Sequence, residues 1–314
     1  MTGSPVLLIP GTPVLRVYPA GTLVDVPGED LVPPRSNPTI RQRRLGAALR
    51  RLREQAGMSA LDAAALLGVD RTRISNTEAG RFGISAARVR TLACNYRCPD
   101  AELVDALADM AQDHTKGWWE DYRGSLPAFF LDIAELEWHA TRLRNALTSH
   151  IPGMLQTEDH ARAIFELVIP ELPADEVDIR VSQRLARRRI LDREDPPAYD
   201  AIIHESALRM QFGGRKVARA QLDSLLEAGE REHITLRVIP FSAGGFVGAG
   251  QTILYACGPV AQLDTVQLDT SHGSVFIDSE MQLANYRQLL DRMECSALDE
   301  NASRKFIHEI AQQL

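Results

Sequence analysis

Little in this chain of 314 residues invites chemistry at a metal or a thiol. It has four cysteines, Cys94, Cys98, Cys257 and Cys295, without zinc-ribbon spacing. Cys94 and Cys98 are about one helical turn apart but lack neighbouring ligands, so all four read as free thiols. None of the eight histidines meets another at three- or four-residue spacing, which argues against a metal site on one helix. No apolar run nears the roughly 20 residues of a membrane-spanning helix. The segment Val6-Leu7-Leu8-Ile9 is short, lacks a basic lead-in and is broken by Pro10, so it does not read as a signal peptide and a cytoplasmic location is expected. The glycine-rich stretch Gly244–Gly250 has no Gly-Lys-Ser/Thr ending and leads into a strand pattern, so no phosphate loop is expected. Ser271-His272-Gly273-Ser274 lacks a nucleophile-elbow sequence. His204-Glu205 at a strand end reads as a structural pair at a strand-to-helix junction. The expectation is a chain with no cofactor, no metal and no catalytic residues, hence not an enzyme.

What the chain has is a charge imbalance. Its total is −7, yet residues 40–97 carry twelve arginines against four acids, Glu54, Asp62, Asp70 and Glu78. The remainder from residue 98 holds 21 basic and 35 acidic side chains. A basic block on an acidic protein is the electrostatic footprint of a nucleic-acid-binding region, and the acidic part must face away from a duplex. Only Lys116, Lys216 and Lys305 interrupt an otherwise all-arginine set of cations.

The basic block also carries helix-turn-helix punctuation. Ser59 with Asp62 three residues on predicts a capping box. Ala63, Ala64 and Ala65 keep one helix side thin. Gly68 supplies the positive φ that ends the helix, Val69 fills the angle, Asp70 caps the next helix, and Ile74 points to the core. Arg71, Thr72, Ser75 and Asn76 then face outward on the half of the second helix that enters a major groove. Arginine reads guanine, asparagine reads adenine, and threonine meets a thymine methyl. With Arg73, and with Arg44 and Arg81 as flanking cations, these are the candidate DNA-binding residues. The alternative reading is an alanine-rich hairpin with a solvated basic face.

The organisation follows from periodicity. Residues 1–38 hold eight of the seventeen prolines and read as an extended or disordered arm. Five helices are expected over 39–114: from about Thr39 to Ala56 with Leu45, Leu49 and Leu52 inward; the two of the helix-turn-helix; one from Ser85 to Tyr96; and one opened by Pro99-Asp100. From 118 to 314 a second domain mixes helices with strands, giving a multidomain chain with an all-α N-terminal part and an α/β or α+β C-terminal part. Its expected helices are Phe129–Leu143, followed by an extended piece through Ile151, then Thr157–Val168, Ala174–Arg193, Gly214–Gly229, Ser279–Glu294 and Leu298–Gln313. Its expected strands are Tyr199–His204, Ile234–Ile239, Thr252–Ala256, Thr265–Leu268 and Ser274–Ile277. Trp118, Trp119 and Tyr122 read as an aromatic seam between the domains, with a ligand clamp as the alternative. Arg184–Arg189 reads as a solvated helix end, with a site for an anionic ligand or acidic partner as the alternative.

Several blocks in order carry a resemblance. They are Asn37-Pro-Thr-Ile-Arg-Gln-Arg-Arg-Leu45, Arg71-Thr-Arg-Ile-Ser-Asn-Thr-Glu-Ala-Gly80, Trp119-Glu-Asp-Tyr122, Ile151-Pro-Gly-Met-Leu-Gln-Thr157, His204-Glu-Ser-Ala-Leu-Arg209 and Ile234-Thr-Leu-Arg-Val-Ile-Pro240. From residue 37 to 314 the chain resembles actinobacterial regulators. These pair an XRE-type (Cro/C1-like) helix-turn-helix with a C-terminal domain of unknown function that is often described as antitoxin-like. The resemblance implies a transcriptional regulator, and a genetically linked small partner protein for the C-terminal domain. Two positions depart from the helix-turn-helix class: Ser59-Ala60 stand where glutamine is common, and Thr77 where a large apolar residue is common. The expected partners are double-stranded DNA, a second copy of the chain to read both half-sites, and a small, acidic or linked protein; no membrane is expected. An antitoxin-like protein that sequesters a small partner and autoregulates its operon is the alternative.

Overall fold

The structure is a computed structural model that describes residues 38–113, 115–270 and 273–314. The arm expected over 1–38 lies outside them except for Pro38, as do His114, Ser271 and His272.

Five helices open the described chain: α1 Ile40–Gln55, α2 Ala60–Leu67, α3 Arg71–Glu78, α4 Ala86–Asn95 and α5 Ala101–Gln112. Each begins at a side-chain cap, namely Thr39, Ser59, Asp70, Ser85 and Asp100. Caps matter here because helices this short are marginal in water alone. Leu45, Leu49 and Leu52 of α1 pack with Ile74, Val89, Leu92 and Leu107 into one core. Helices α1 and α3 meet at Gly46, where a Cβ would lie 2.4 Å from the Glu78 carbonyl oxygen, so only glycine permits the approach.

A short 3₁₀ turn, Trp118–Tyr122, precedes α6 Ala128–Trp138. The rest of the chain alternates: β1 Arg142–Leu147, α7 Glu158–Phe165, α8 Ala174–Ala186, β2 Ala198–His204, α9 Glu205–Arg209, α10 Arg215–Ala228 and β3 Ile234–Ile239. Then come β4 Ile253–Cys257, β5 Thr265–Thr270, β6 Gly273–Ile277, α11 Glu280–Cys295 and α12 Glu300–Gln313. The six strands form one sheet in the order β3-β2-β1-β4-β5-β6. Strands β1, β2 and β3 are mutually parallel, and β4, β5 and β6 run antiparallel to their neighbours. Alternate residues feed two cores. Leu143, Ile203, Val238 and Leu254 pack under α10 and α12 through Leu222, Leu225, Ile307 and Ile310. Ala146, Ile202, Ile253 and Tyr255 pack on α11 through Leu283, Leu290 and Met293. The helical and sheet-bearing parts fall in the same compact unit.

Three elements differ from the sequence expectation. The helix expected to reach Leu143 stops at Trp138, and Arg142–Leu147 becomes the sheet's third strand. Arg-Leu-Arg-Asn-Ala-Leu has helical propensity, but burial between two strands overrides it. The helix expected through Arg193 gives way after Ala186 to a 3₁₀ turn over Arg187–Asp192. The one-turn helix α9 starts directly at His204-Glu205, the expected strand-to-helix junction, ahead of the helix expected from Gly214; His204 caps it, with the Ser206 amide donating to its side chain.

Candidate nucleic-acid interface

The α2–α3 hairpin is built as its sequence dictates. The Ser59 amide donates to Asp62 Oδ2 at 2.8 Å, and the Asp62 amide donates back to Ser59 Oγ at 3.2 Å. Gly68 takes φ +64° at the turn. The Arg73 amide donates to Asp70 Oδ1 at 2.7 Å, which starts α3. Ile74 is buried in the core it shares with Ala63 and Ala64, and Thr77 is buried beside it despite its hydroxyl.

These contacts set the rotation of α3 about its axis. Arg71, Thr72 and Ser75 are exposed, and Arg73 and Asn76 are half-buried. The four positions 71, 72, 75 and 76 lie on one side because they recur at helical spacing. The Arg73 guanidinium lies over the Phe82 ring, 5.2 Å from its centroid, which fixes its direction. The Asn76 carbonyl accepts from the Arg81 amide at 2.8 Å, seating the exposed Arg81 just beyond the helix. Among the described residues, Arg71, Arg73, Arg81 and Arg88 have no carboxylate at ion-pair distance. Their charge is therefore available to phosphates.

Arg53 ties this hairpin to α1. Its Nε and Nη2 donate to Glu78 Oε1 and Oε2 at 2.6 and 2.9 Å, and its Nη1 donates to the Met58 carbonyl at 2.7 Å.

Arg44 is not on this face. Proposed from sequence as a DNA contact, it is 4% exposed. Its Nε and Nη2 donate to the Asp264 carbonyl at 3.3 and 3.2 Å, and Nη2 also donates to the Gln262 carbonyl. Its Nη1 lies 3.7 Å from Asp278. Arg51 donates to the Asp278 carbonyl at 2.7 Å. Burial, and then the neighbouring charge of Arg51, push the Arg44 guanidinium down to about 10. The partners stand some 220 residues away, and no local pattern announces them.

The junction between the two parts is thus ionic and polar. At the start of α1 the Ile40 amide donates to Asp132 at 3.0 Å, and the Arg41 amide to Glu135 at 3.3 Å. Two α6 carboxylates therefore face the positive end of the α1 dipole. Arg43 pairs with Asp132 at 2.7 Å, and Gln262 donates to Asp100 at 2.7 Å. Leu263 adds an apolar plug to the helical core. The aromatic cluster expected to form this seam lies mainly elsewhere. Trp119 is buried with Phe130, Leu131, Phe165 and Val181, inside the C-terminal part, and reaches the junction through its edge contact with His139 and through a cavity it lines with Thr39, Arg41 and Met110.

Other sequence candidates resolve as follows. His204 and Glu205 are occupied structurally: His204 Nδ1 bonds Ser206 at 2.6 Å, and Glu205 accepts from the Phe241 amide at 2.8 Å and Arg209 at 2.6 Å. The Gly244–Gly250 loop runs into β4 and meets no helix N-terminus there. The Arg184–Arg189 run is not simply a solvated helix end: Arg187 is buried and bonds Glu137 through both Nε and Nη2, and Arg184 points inward to Gln156.

With this geometry in hand, comparison with known proteins gives two matches. Residues 44–107 match the model of a helix-turn-helix domain. Residues 130–309 match the model of a domain of unknown function, DUF5753, which covers more than half of the 314 residues. The chain belongs to the DUF5753 family and carries an N-terminal helix-turn-helix domain. No curated protein and no solved structure matches it.

Proposed function

We propose that this DUF5753-family protein is a sequence-specific transcriptional regulator of the XRE (Cro/C1) kind. In this reading α3 enters the major groove. Arg71, Thr72 and Asn76 read bases, Ser75 touches base or phosphate, and Arg73 and Arg81 hold the backbone. One observation carries the reading: a rigidly capped helix presents polar side chains on one side, beside arginines that no carboxylate neutralises. The protein acts as a homodimer, because one such helix reads only a half-site. It works on DNA in the cytoplasm and by binding rather than turnover, which accords with the structural employment of His204 and Glu205.

The C-terminal part is the sensor. It binds an effector or a small partner protein and biases the seat of α1 through the junction at Arg44 and Arg51. Such coupling requires that the ligand bind two arrangements with different affinity.

Genome-wide mapping of bound sites, followed by titration of the best site, tests the reading. Arg71→Ala and Asn76→Ala should each cost about 1–3 kcal/mol of specific binding and relax discrimination at one base position. An equal loss on operator and random DNA would make both residues phosphate contacts. Co-purification with a stoichiometric small protein would turn the C-terminal role toward the antitoxin-like form.

A further inference from the structure

The sheet face opposite α11 carries a cavity of about 230 Å³. Asn145 of β1, Leu254 of β4 and Gln267 of β5 form its floor; Phe129, Phe130 and Ile133 of α6 form a wall. Arg184 of α8 enters from the side. Its Nη1 donates to Gln156 Oε1 at 2.6 Å, and its guanidinium lies 4.8 Å from the Phe165 ring centroid. Its buried Nε has no hydrogen-bond partner, and no carboxylate among the described residues pairs with it. The side chain is half-buried, and burial followed by the charge of Arg187 pushes it down to about 9. A half-buried cation with a buried, unpaired N–H and no carboxylate bonded to it is costly, and a bound anion would relieve that cost.

The neighbouring charges narrow what could answer it. Arg187 is already neutralised by Glu137. Asp269 stands at the mouth, accepting from Gln267 Nε2 at 2.6 Å. His150 on the wall is held below its ordinary value by burial and then by Arg184, so it adds no cation at neutral pH. One free guanidinium with two carboxylates nearby suits a monoanion and disfavours a dianion such as phosphate. The aromatic and aliphatic wall suits an apolar body. The volume is below the roughly 300–1,000 Å³ of drug-sized sites, so the ligand is small.

We infer that this cavity is an effector site for a small monocarboxylic acid, with the carboxylate on Arg184 and an apolar or aromatic body against Phe129 and Phe130. The word effector rests on the regulator reading above; the site itself does not. The fold supplies a route between the two. Strands β5 and β6 pair Asp269 with Ser274 beside the cavity and Val266 with Ile277 toward the other end. Just past that other end stand Asp264 and Asp278, which hold Arg44 and Arg51. One hairpin therefore bears on both the cavity and the seat of α1.

Calorimetric titration of the full chain with benzoate, phenylacetate and hexanoate tests the site, with inorganic phosphate as comparator. At least one carboxylate should bind saturably and more tightly than phosphate. Arg184→Gln should weaken it about tenfold or more, as the loss of a charge-assisted bond requires. Because that variant also loses its bond to Gln156, Ser274→Phe serves as a second one, filling the mouth from an edge strand, and it should weaken binding too. No saturable binding of any of the three up to about 10 mM, where even a Kd of about 1 mM would fill the site, overturns the inference. So does binding that neither variant changes, or a preference for phosphate. Operator affinity is measured on the same samples with and without the bound carboxylate. A change of about 5–150-fold, lost in Arg44→Gln, is expected of an effector. Bound carboxylate with unchanged operator affinity overturns the effector role. Carboxylate binding by a chain that ignores all DNA would instead sink the regulator reading and leave the cavity assignment standing. DNA binding without any carboxylate binding would do the reverse.

Discussion

Helices α1 and α3 spend the same side chain in opposite ways. Six arginines line α1, and every one has a partner: Arg41 with Asp113, Arg43 with Asp132, Arg44 and Arg51 with the β4–β5 and β6–α11 connections, Arg50 with Glu54, and Arg53 with Glu78. On α3, Arg71 and Arg73 face no carboxylate among the described residues. A guanidinium binds phosphate only if no nearer anion has claimed it. The net charge of a segment thus overstates its DNA face when a second domain brings acids against it.

The comparison breaks hardest at Arg53 and Glu78, the pair that joins the two helices. Glu78→Ala would remove the bidentate partner of a largely buried guanidinium, leaving it Glu54 at 3.7 Å and the Met58 carbonyl, and should cost about 3 kcal/mol in thermal or urea unfolding. A loss within about 0.5 kcal/mol, the worth of an exposed pair, would show that α3 is positioned without it.

Arg44 and Arg81 sharpen the comparison next. Arg44→Ala should lower stability by about 2 kcal/mol, as removal of hydrogen bonds to a charged group does, and leave the salt dependence of DNA binding unchanged. Arg81→Ala should do little to stability and reduce the salt slope by about one. The reverse pattern in salt titrations would return Arg44 to the DNA face.

Acid should separate the junction from the recognition helix. His139 contacts the junction, 3.9 Å from Asp113. Burial, and then Arg41, push it down to about 4. Its unfolded value is near 6.5, so the unfolded chain binds the extra proton between those limits. The stability from keeping His139 neutral is therefore present above about pH 6.5 and lost as pH falls toward 4. Between pH 7 and pH 5 the loss should be about 1–2 kcal/mol. His139→Gln should remove that part of the pH dependence; equal acid sensitivity in variant and wild type would assign it to other groups.

The smallest effect belongs to Arg50. It pairs with Glu54 at 2.7 Å across solvent, so Arg50→Ala should move stability by no more than about 0.5 kcal/mol. A larger change by chemical denaturation would mean that exposed arginines of α1 contribute as buried ones do.

Local signals made the helical part legible. Ser59 with Asp62, Gly68 and Asp70 each act within a few residues of themselves, so the α2–α3 hairpin and its outward side chains could be read before any fold was known. The strands Ile234–Ile239 and Ala198–His204 were legible for the same reason, as short β-branched runs with clear ends. Arg142–Leu147 was legible only in part, as an extended piece after Leu143, because its start and its place as a strand depend on its two neighbours in the sheet.

What the sequence by itself determined is therefore whatever depends on neighbours a few residues apart: the caps, the turn, the rotation of α3 and most element boundaries. The tertiary structure alone decided which arginines are free. Arg44 and Arg71 are indistinguishable by type and by local charge. Whether each meets an anion depends on carbonyls and carboxylates brought from more than 200 residues away in one case and from nowhere among the described residues in the other. The same holds for Arg184, whose run of basic residues reads as a solvated helix end until α6 and the sheet close around it. Electrostatic interaction acts through space, and the sequence orders residues only along the chain.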